Sequence, residues 1–253
     1  MTNCETSGIH NYQSSIISYK LKHGYGTFVP KAVLFDMDGV LYNSMPNHAL
    51  SWHKAMQQYG IDMRPEEAYE YEGMRGVETI KLKARQQWQR ELTDEEARQM
   101  YLTKTSLFAQ CPPAEIMSGV KSLMKQMTEC GLHIGVVTGS GQHTLLDKLA
   151  SDFHGMIDEN CIVTSFDVAQ GKPAPDPYLA GMRKTCTEPW QTIVIENAPL
   201  GVTAAAAAGC FTIAVNTGPL PGSMLSEAGA DIVVDSMPDM AEAWHTIYSI
   251  LHS

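Results

Sequence analysis

"VLFDMDGVLYNS", residues 33–44, starts as an apolar run. It then sets two carboxylates, Asp36 and Asp38, two positions apart with Gly39 directly behind. Val33, Leu34 and Phe35 show no polar alternation, the pattern of a strand buried on both faces. With Lys31 and Ala32 they form "KAVLF" (31–35), and five similar runs follow: "HIGVVT" (133–138), "CIVTS" (161–165), "TIVIE" (192–196), "FTIAV" (211–215) and "DIVV" (231–234). Helical patterns lie between most of them, at 118–130, 142–150, 176–187 and 199–209, with a last one from about 239 to 251. Apolar strands alternating with helices predict an α/β fold, a Rossmann-like parallel sheet with helices on both faces.

Residues 46–111 break that rhythm. They hold helical patterns such as "NHALSWHKAMQQYG", "GVETIKLKARQQWQREL" and "TDEEARQMYLTKTSLFAQ", and no convincing strand. The last begins with Thr93 and, three residues on, Glu96, the signature of a capping box. The expectation is an all-helical cap inserted after the first strand, entered near "NSMPN" and left at "CPP". The catalytic core would then comprise 31–45 and 112–253. Residues 1–30 are polar and mixed, without the charged start and apolar stretch of a secretory leader, and are expected to form a poorly ordered extension.

Composition narrows the function. Hydrophobic residues make up 44% of the 253 and charged residues 18%, which suits a packed globular protein. The formal net charge is -10 and no Lys/Arg run occurs, which argues against nucleic acid and anionic membrane as partners. An acidic protein that binds phosphate needs local cations or a metal. Six scattered cysteines without a C-x-x-C pair read as reduced thiols rather than a zinc site. No apolar stretch reaches membrane-spanning length, so a cytoplasmic address is expected, and nothing demands more than a monomer.

In an open parallel sheet, ligands bind beyond the carboxyl ends of the strands. The first strand ends in Asp36-Met37-Asp38-Gly39, the second in Thr138-Gly139-Ser140-Gly141, and the fourth in Glu196-Asn197. The loop after the third carries Lys172 in "GKPAPDPY". Singly these are a turn, a capped strand end, a solvated lysine and a helix cap. Together, each at a strand end, they form a set of groups suited to a metal and a phosphoryl group.

"DMDGV", "VVTGS", "GKPAPDPY" and "VIENAPLGV" resemble the four motifs of the haloacid dehalogenase superfamily. The helical insert resembles that of its beta-phosphoglucomutase-like branch. Within that branch, "AVLFDMDGVLYNSMP", "VIENAPLGV" and "FTIAVNTGPL" are most similar to bacterial inorganic pyrophosphatases. The resemblance spans about residues 31–250.

It implies Asp36 as a nucleophile that forms an aspartyl-phosphate, with Asp38 as general acid and then base. Gly39 would let the chain turn sharply, bringing Asp38 round to the site of Asp36. Thr138 and the amides of Gly139 and Ser140 would hold the phosphoryl oxygens, and Lys172 would neutralise charge. Magnesium would take Asp36, the carbonyl of Asp38 and Asn197, with Glu196 in or next to its ligand shell. Family members often carry an acid where Asn197 stands, so the metal is left one charge short.

His48 lies where the family's mutases place a histidine against the acid/base, and Trp52, one turn on, reads as packing. In the loop "YEGMRG" (71–76), Glu72 is the candidate replacement metal ligand and Arg75 the candidate for a substrate's second phosphate. Closure over Glu72 is expected to leave little room beyond the transferred phosphoryl group.

The implied activity is a magnesium-dependent phosphohydrolase acting on a small phosphate substrate, foremost inorganic pyrophosphate. The alternatives are a hexose-phosphate mutase and a sugar-phosphate phosphatase. A non-catalytic binding module is disfavoured because no motif residue is missing.

Overall fold

A computed structural model describes residues 3–140 and 143–251 of the chain, the side chains of 3–11 and 143–145 excepted. Six strands appear where the apolar runs predict them: β1 (Ala32–Phe35), β2 (His133–Val137), β3 (Ile162–Val163), β4 (Thr192–Glu196), β5 (Phe211–Val215) and β6 (Ile232–Val234). All are parallel, in the order β3-β2-β1-β4-β5-β6. The chain leaves β1 in one direction to build β2 and β3 and in the other to build β4 to β6. The crevice at that reversal opens above Phe35, Val137 and Glu196.

The alternation within β1 shows why its run is wholly apolar. Val33 and Phe35 face a core with Leu123, Met127, Trp244 and Ile247, while Leu34 faces Tyr178, Ala204 and Ala205 on the other side. The covering helices of the core are α6 (Val120–Glu129), α7 (His143–Asp152), α8 (Asp176–Thr185), α9 (Pro199–Ala207), the short α10 (Gly222–Glu227) and α11 (Met237–Leu251). Gly141 and Gln142, at the expected start of α7, lie outside the described residues.

Residues 46–111 contain helices and no strand: α2 (Met45–Gln58), a single turn α3 (Glu67–Glu70), α4 (Gly76–Trp88) and α5 (Asp94–Phe108). They bury an apolar cluster of their own, with Trp52, Met56, Ile61, Met63, Ile80 and Met100. The capping box at Thr93 is present, with both the Thr93 and the Glu96 side chain engaged. Asn47 Nδ2 donates to the Pro112 carbonyl at 2.8 Å, tying the entering linker to the leaving one.

The first thirty residues differ from expectation. They form a helix, α1 (Asn3–His23), whose C-terminal half packs on the core. Tyr12, Ile16 and Tyr19 fall at i, i+4 and i+7 and so share one face, which lies against the core. Tyr19 is fully buried, and its hydroxyl donates to the Gly209 carbonyl at 2.8 Å. Its ring meets Phe28 and Phe211 edge-on at 5.0 and 5.2 Å. Polar residues between those positions masked the stripe. Among the described residues, no helix is long and apolar enough to cross a membrane.

Candidate active site

β1 delivers Asp36 to the crevice, where only 4% of its surface is exposed. Lys172 Nζ donates to Asp36 Oδ1 and, at 2.6 Å, to Glu196 Oε1. Burial raises Asp36, and the charges of Glu196 and Asp38 add to this; together they outweigh the pull of Lys172 and bring it to about 8. Two carboxylates against one lysine leave this end short of positive charge.

Glu196 is committed on all sides. Lys172 and the Tyr178 hydroxyl, at 2.7 Å, donate to Oε1, while the amides of Asn197 and Ala198 donate to Oε2 at 2.8 and 3.1 Å. The sequence reading placed Glu196 in or beside a metal shell. Here its four acceptor contacts make it the anchor of Lys172 and of the turn that carries Asn197. Asn197 follows in the same turn, 7% exposed, with Oδ1 lacking any partner.

Gly39 works by close approach as well as by backbone angle. Its φ is +84°, and a methyl group built on it would stand 2.0 Å from Asn197 Nδ2. The turn it permits sets Asp38 on the edge of the cavity. The Ser44 hydroxyl donates to Asp38 Oδ1 at 2.6 Å, and His48 Nε2 lies 3.4 Å from the same oxygen. On the far side of the ring, Lys104 Nζ is 2.9 Å from His48 Nδ1. The lysine has only hydrogens to offer, so Nδ1 accepts and the ring proton faces Asp38. Burial alone would raise Asp38, but His48, Ser44 and Lys104 outweigh it and hold the carboxyl at about 2. Burial and Lys104 push His48 below its ordinary value.

Thr138 is buried, and its hydroxyl accepts from the Ser140 amide at 3.0 Å. That amide, expected to face a phosphoryl group, is turned inward here. Gly139 and Ser140 line the cavity, and Gly141 lies outside the described residues.

The loop 71–76 folds down onto this site. A methyl on Gly73 would meet Lys172 Cδ at 2.7 Å, so the loop backbone rests on the lysine stem. Glu72 lines the cavity. Burial first, then the charges of Asp36, Glu196 and Asp38, raise its carboxyl well above the ordinary range. Arg75 does not reach the cavity wall. Its guanidinium Nη2 donates to the carbonyls of Val168 at 2.7 Å and Ser165 at 3.4 Å, which corrects the expected contact with a second phosphate. The cavity measures about 350 Å³, larger than the tight fit expected over Glu72. Trp52, Tyr71, Tyr101 and Phe108 furnish much of its wall.

This arrangement of strand-end acids, lysine and helical insert agrees with the match of residues 33–215 to the family model described as haloacid dehalogenase-like hydrolase. The chain belongs to that family. It is an enzyme of the phosphatase kind, beta-phosphoglucomutase-like in its relatives. Hexitol phosphatase A of Escherichia coli (strain K12) is 27% identical over 208 residues, covering 82% of this chain and 91% of that one. Beta-phosphoglucomutase of Bacillus subtilis (strain 168) is 28% identical over 225 residues, covering 83% and 91%. A solved structure described as "Putative beta-phosphoglucomutase from Bacteroides vulgatus" superposes with a TM-score of 0.92 at 46% identity, covering 96% of this chain and 99% of that one. None of these three names refers to pyrophosphate, and the resemblance to pyrophosphatases has no support from them.

Among the described residues of the hydrolase's site, three buried oxygens have no partner: Asp36 Oδ2, Glu72 Oε2 and Asn197 Oδ1. All three belong to residues expected to ligate a cation, and unpartnered buried acceptors are costly without one. Among the described residues no three His, Cys, Asp or Glu side chains converge on a metal position. A fitting donor set is therefore mixed, with carboxylate, amide and carbonyl oxygens, which suits a hard ion such as magnesium.

Sequence reasoning missed Lys104, Ser44 and Tyr178. Lys104 sits in an amphipathic helix and reads as a solvated charge, yet it is only 4% exposed. Trp52, assigned to packing, is both packed in the cap and part of the cavity wall, with Lys104 Nζ 5.3 Å above its ring.

Proposed function

We propose that the chain is a magnesium-dependent phosphohydrolase that works through a phosphoryl group carried on Asp36, with inorganic pyrophosphate as its substrate. The observation that supports this best is the set of unpartnered oxygens on Asp36, Glu72 and Asn197, beside a lysine already tied to Asp36. When bound, magnesium would supply positive charge to the phosphoryl oxygens and keep Asp36 ionised; Asp36, Asn197 and Glu72 would hold it.

Asp36 then forms a bond to phosphorus as the bond to the leaving oxygen breaks, and Asp38 gives that oxygen a proton. An anionic substrate raises the low resting value of Asp38, which prepares it for that role. In the second half, Asp38 takes a proton from water, the water oxygen bonds to phosphorus, and Asp36 is released with phosphate. Ser44 and His48 orient Asp38, while Lys172, fixed by Glu196 and Tyr178, offsets the charge on Asp36 throughout. Residues 46–111 act as a cap over this site, turning on the linkers joined by Asn47 and Pro112.

Glu72 supports pyrophosphate in particular. A carboxylate facing Asp36 repels a distal phosphate unless a cation lies between them, and pyrophosphate arrives as a metal complex. The cavity volume favours a second reading, a sugar or polyol phosphate, and relatives bear names of that kind. Phosphate release with magnesium from pyrophosphate, hexitol phosphates, hexose phosphates and phosphoglycolate separates the two. Pyrophosphate should lead; preference for a hexose or hexitol phosphate would overturn it, and isomerisation without phosphate release would overturn the hydrolase. Asp36→Asn should lower turnover on the order of 10⁴-fold or more while keeping the fold, because an amide cannot accept the phosphoryl group.

A further inference from the structure

We propose that Arg75 is a positioning residue, a latch that holds the cap loop 71–76 against the core loop between β3 and α8. In doing so it sets Glu72 over Asp36.

Arg75 precedes Gly76, the first residue of α4, and its own carbonyl accepts from the amides of Glu78 and Thr79 at 2.8 and 3.0 Å. The residue is thus built into the start of a cap helix. Its side chain leaves the cap and ends on two core carbonyls, those of Val168 and Ser165. A guanidinium that donates to backbone carbonyls reads no side chain and no substrate; it reads the path of the loop. That loop is itself pinned to the core, since the Ser165 amide donates to the Ser140 carbonyl and Asp167 accepts from the Thr164 amide and hydroxyl.

The seam is shaped for this contact. A methyl on Gly171 would stand 3.2 Å from Arg75 Cγ, and one on Gly218 would stand 2.8 Å from Tyr69 Cδ1. With Gly73 against Lys172, three glycines along the seam let cap and core approach more closely than side chains permit. Glu72 is three residues from Arg75 in the same loop, so the latch fixes the carboxylate's place. This also explains why Arg75 is missing from the cavity wall that its neighbours Glu72, Gly73, Met74 and Gly76 form.

Only the kinetic part of the test rests on the phosphohydrolase reading. Hydrogen exchange is followed in the full-length chain without substrate, for the parent, Arg75→Ala and Arg75→Lys. The probes are the amides of Met74 and Ser165, bonded to the Tyr71 and Ser140 carbonyls at 3.1 and 3.3 Å. Arg75→Ala should speed exchange at both by about tenfold and leave the interiors of α4 and α5 unchanged; Arg75→Lys should restore part of the protection. Steady-state turnover of pyrophosphate and p-nitrophenyl phosphate with magnesium should show kcat lowered about tenfold for both, with the ratio of their KM values unchanged. Unchanged exchange at Met74 and Ser165 would overturn the latch. So would a loss confined to KM for pyrophosphate, which would mean that the guanidinium holds substrate. If the parent turns over neither compound, the phosphohydrolase reading fails while the exchange result still decides the latch.

Discussion

Lys172, bonded to Asp36, and Lys104, bonded to His48, are each only 4% exposed, and their surroundings drive them in opposite directions. Burial opposes the charge on both. At Lys172 it is overcome by Asp36 and Glu196, whose charges and hydrogen bonds raise the ammonium above its ordinary value. At Lys104 burial prevails over the charges of Asp38 and Cys111, and the group falls to about 8. One partner there is a neutral imidazole, and the rings of Trp52 and Phe108 lie 5.3 and 4.8 Å away. The core end thus holds a permanent cation beside Asp36. The cap end holds a lysine whose charge burial disfavours and which acts on Asp38 through His48.

The most forceful way to break this contrast is to remove each ammonium in turn. Lys172→Met should lower turnover by about 10² to 10³, since it strips a preorganised charge from the reacting centre. Lys104→Met should cost about tenfold, the worth of one positioning hydrogen bond. Steady-state kinetics on the same substrate gives both numbers, and equal losses would erase the distinction.

Stability offers the second division. Lys172→Met leaves two buried carboxylates unpaired and should destabilise the metal-free protein by about 3–5 kcal/mol, read from urea midpoints. Lys104→Met should instead raise the midpoint at pH 7. The sign follows from linkage: a lysine at about 8 when folded, against an ordinary 10.5, binds fewer protons folded than unfolded between those values. Its cost is therefore full below pH 8 and fades as pH rises towards 10.5, so the advantage of the variant should shrink over that window.

Metal and pH sharpen the core end. Asp36 at about 8 when folded, against an ordinary 3.8, gives the opposite sign: it binds more protons folded, so stability declines as pH rises from 3.8 to 8. Added magnesium should raise the melting temperature more at pH 8 than at pH 5, and Asp36→Asn should remove most of that difference. Chelation with EDTA should abolish turnover. A magnesium shift independent of pH and of Asp36 would remove Asp36 from the ligand set.

The smallest effect belongs to Tyr178→Phe, which deletes one of the four contacts on Glu196 while Lys172 keeps both carboxylates. Turnover should fall only a few-fold, on the scale of about 1 kcal/mol for one hydrogen bond. A hundredfold loss would place Tyr178 in the chemistry.

The sheet, the helical insert and the acids, threonine, lysine and amide at the strand ends were all legible in the sequence. Those follow from local rules: uninterrupted apolar runs make buried strands, and a parallel sheet gathers its chemistry at their carboxyl ends. Tertiary structure alone decided which polar groups meet. Lys104 looks like a solvated charge in its own segment, and Arg75 like a contact for a substrate's second phosphate. One turned out buried against His48, and the other reached across the seam to Val168. Glu196 carries the same letters whether it faces a metal or a lysine, and only Lys172, Tyr178 and two amides closing around it select the lysine. The stripe on α1 was masked by the polar residues between its members, and its burial depended on Phe211, far away in the chain. Burial and pairing are properties of distant residues brought together, so no local pattern could have encoded them.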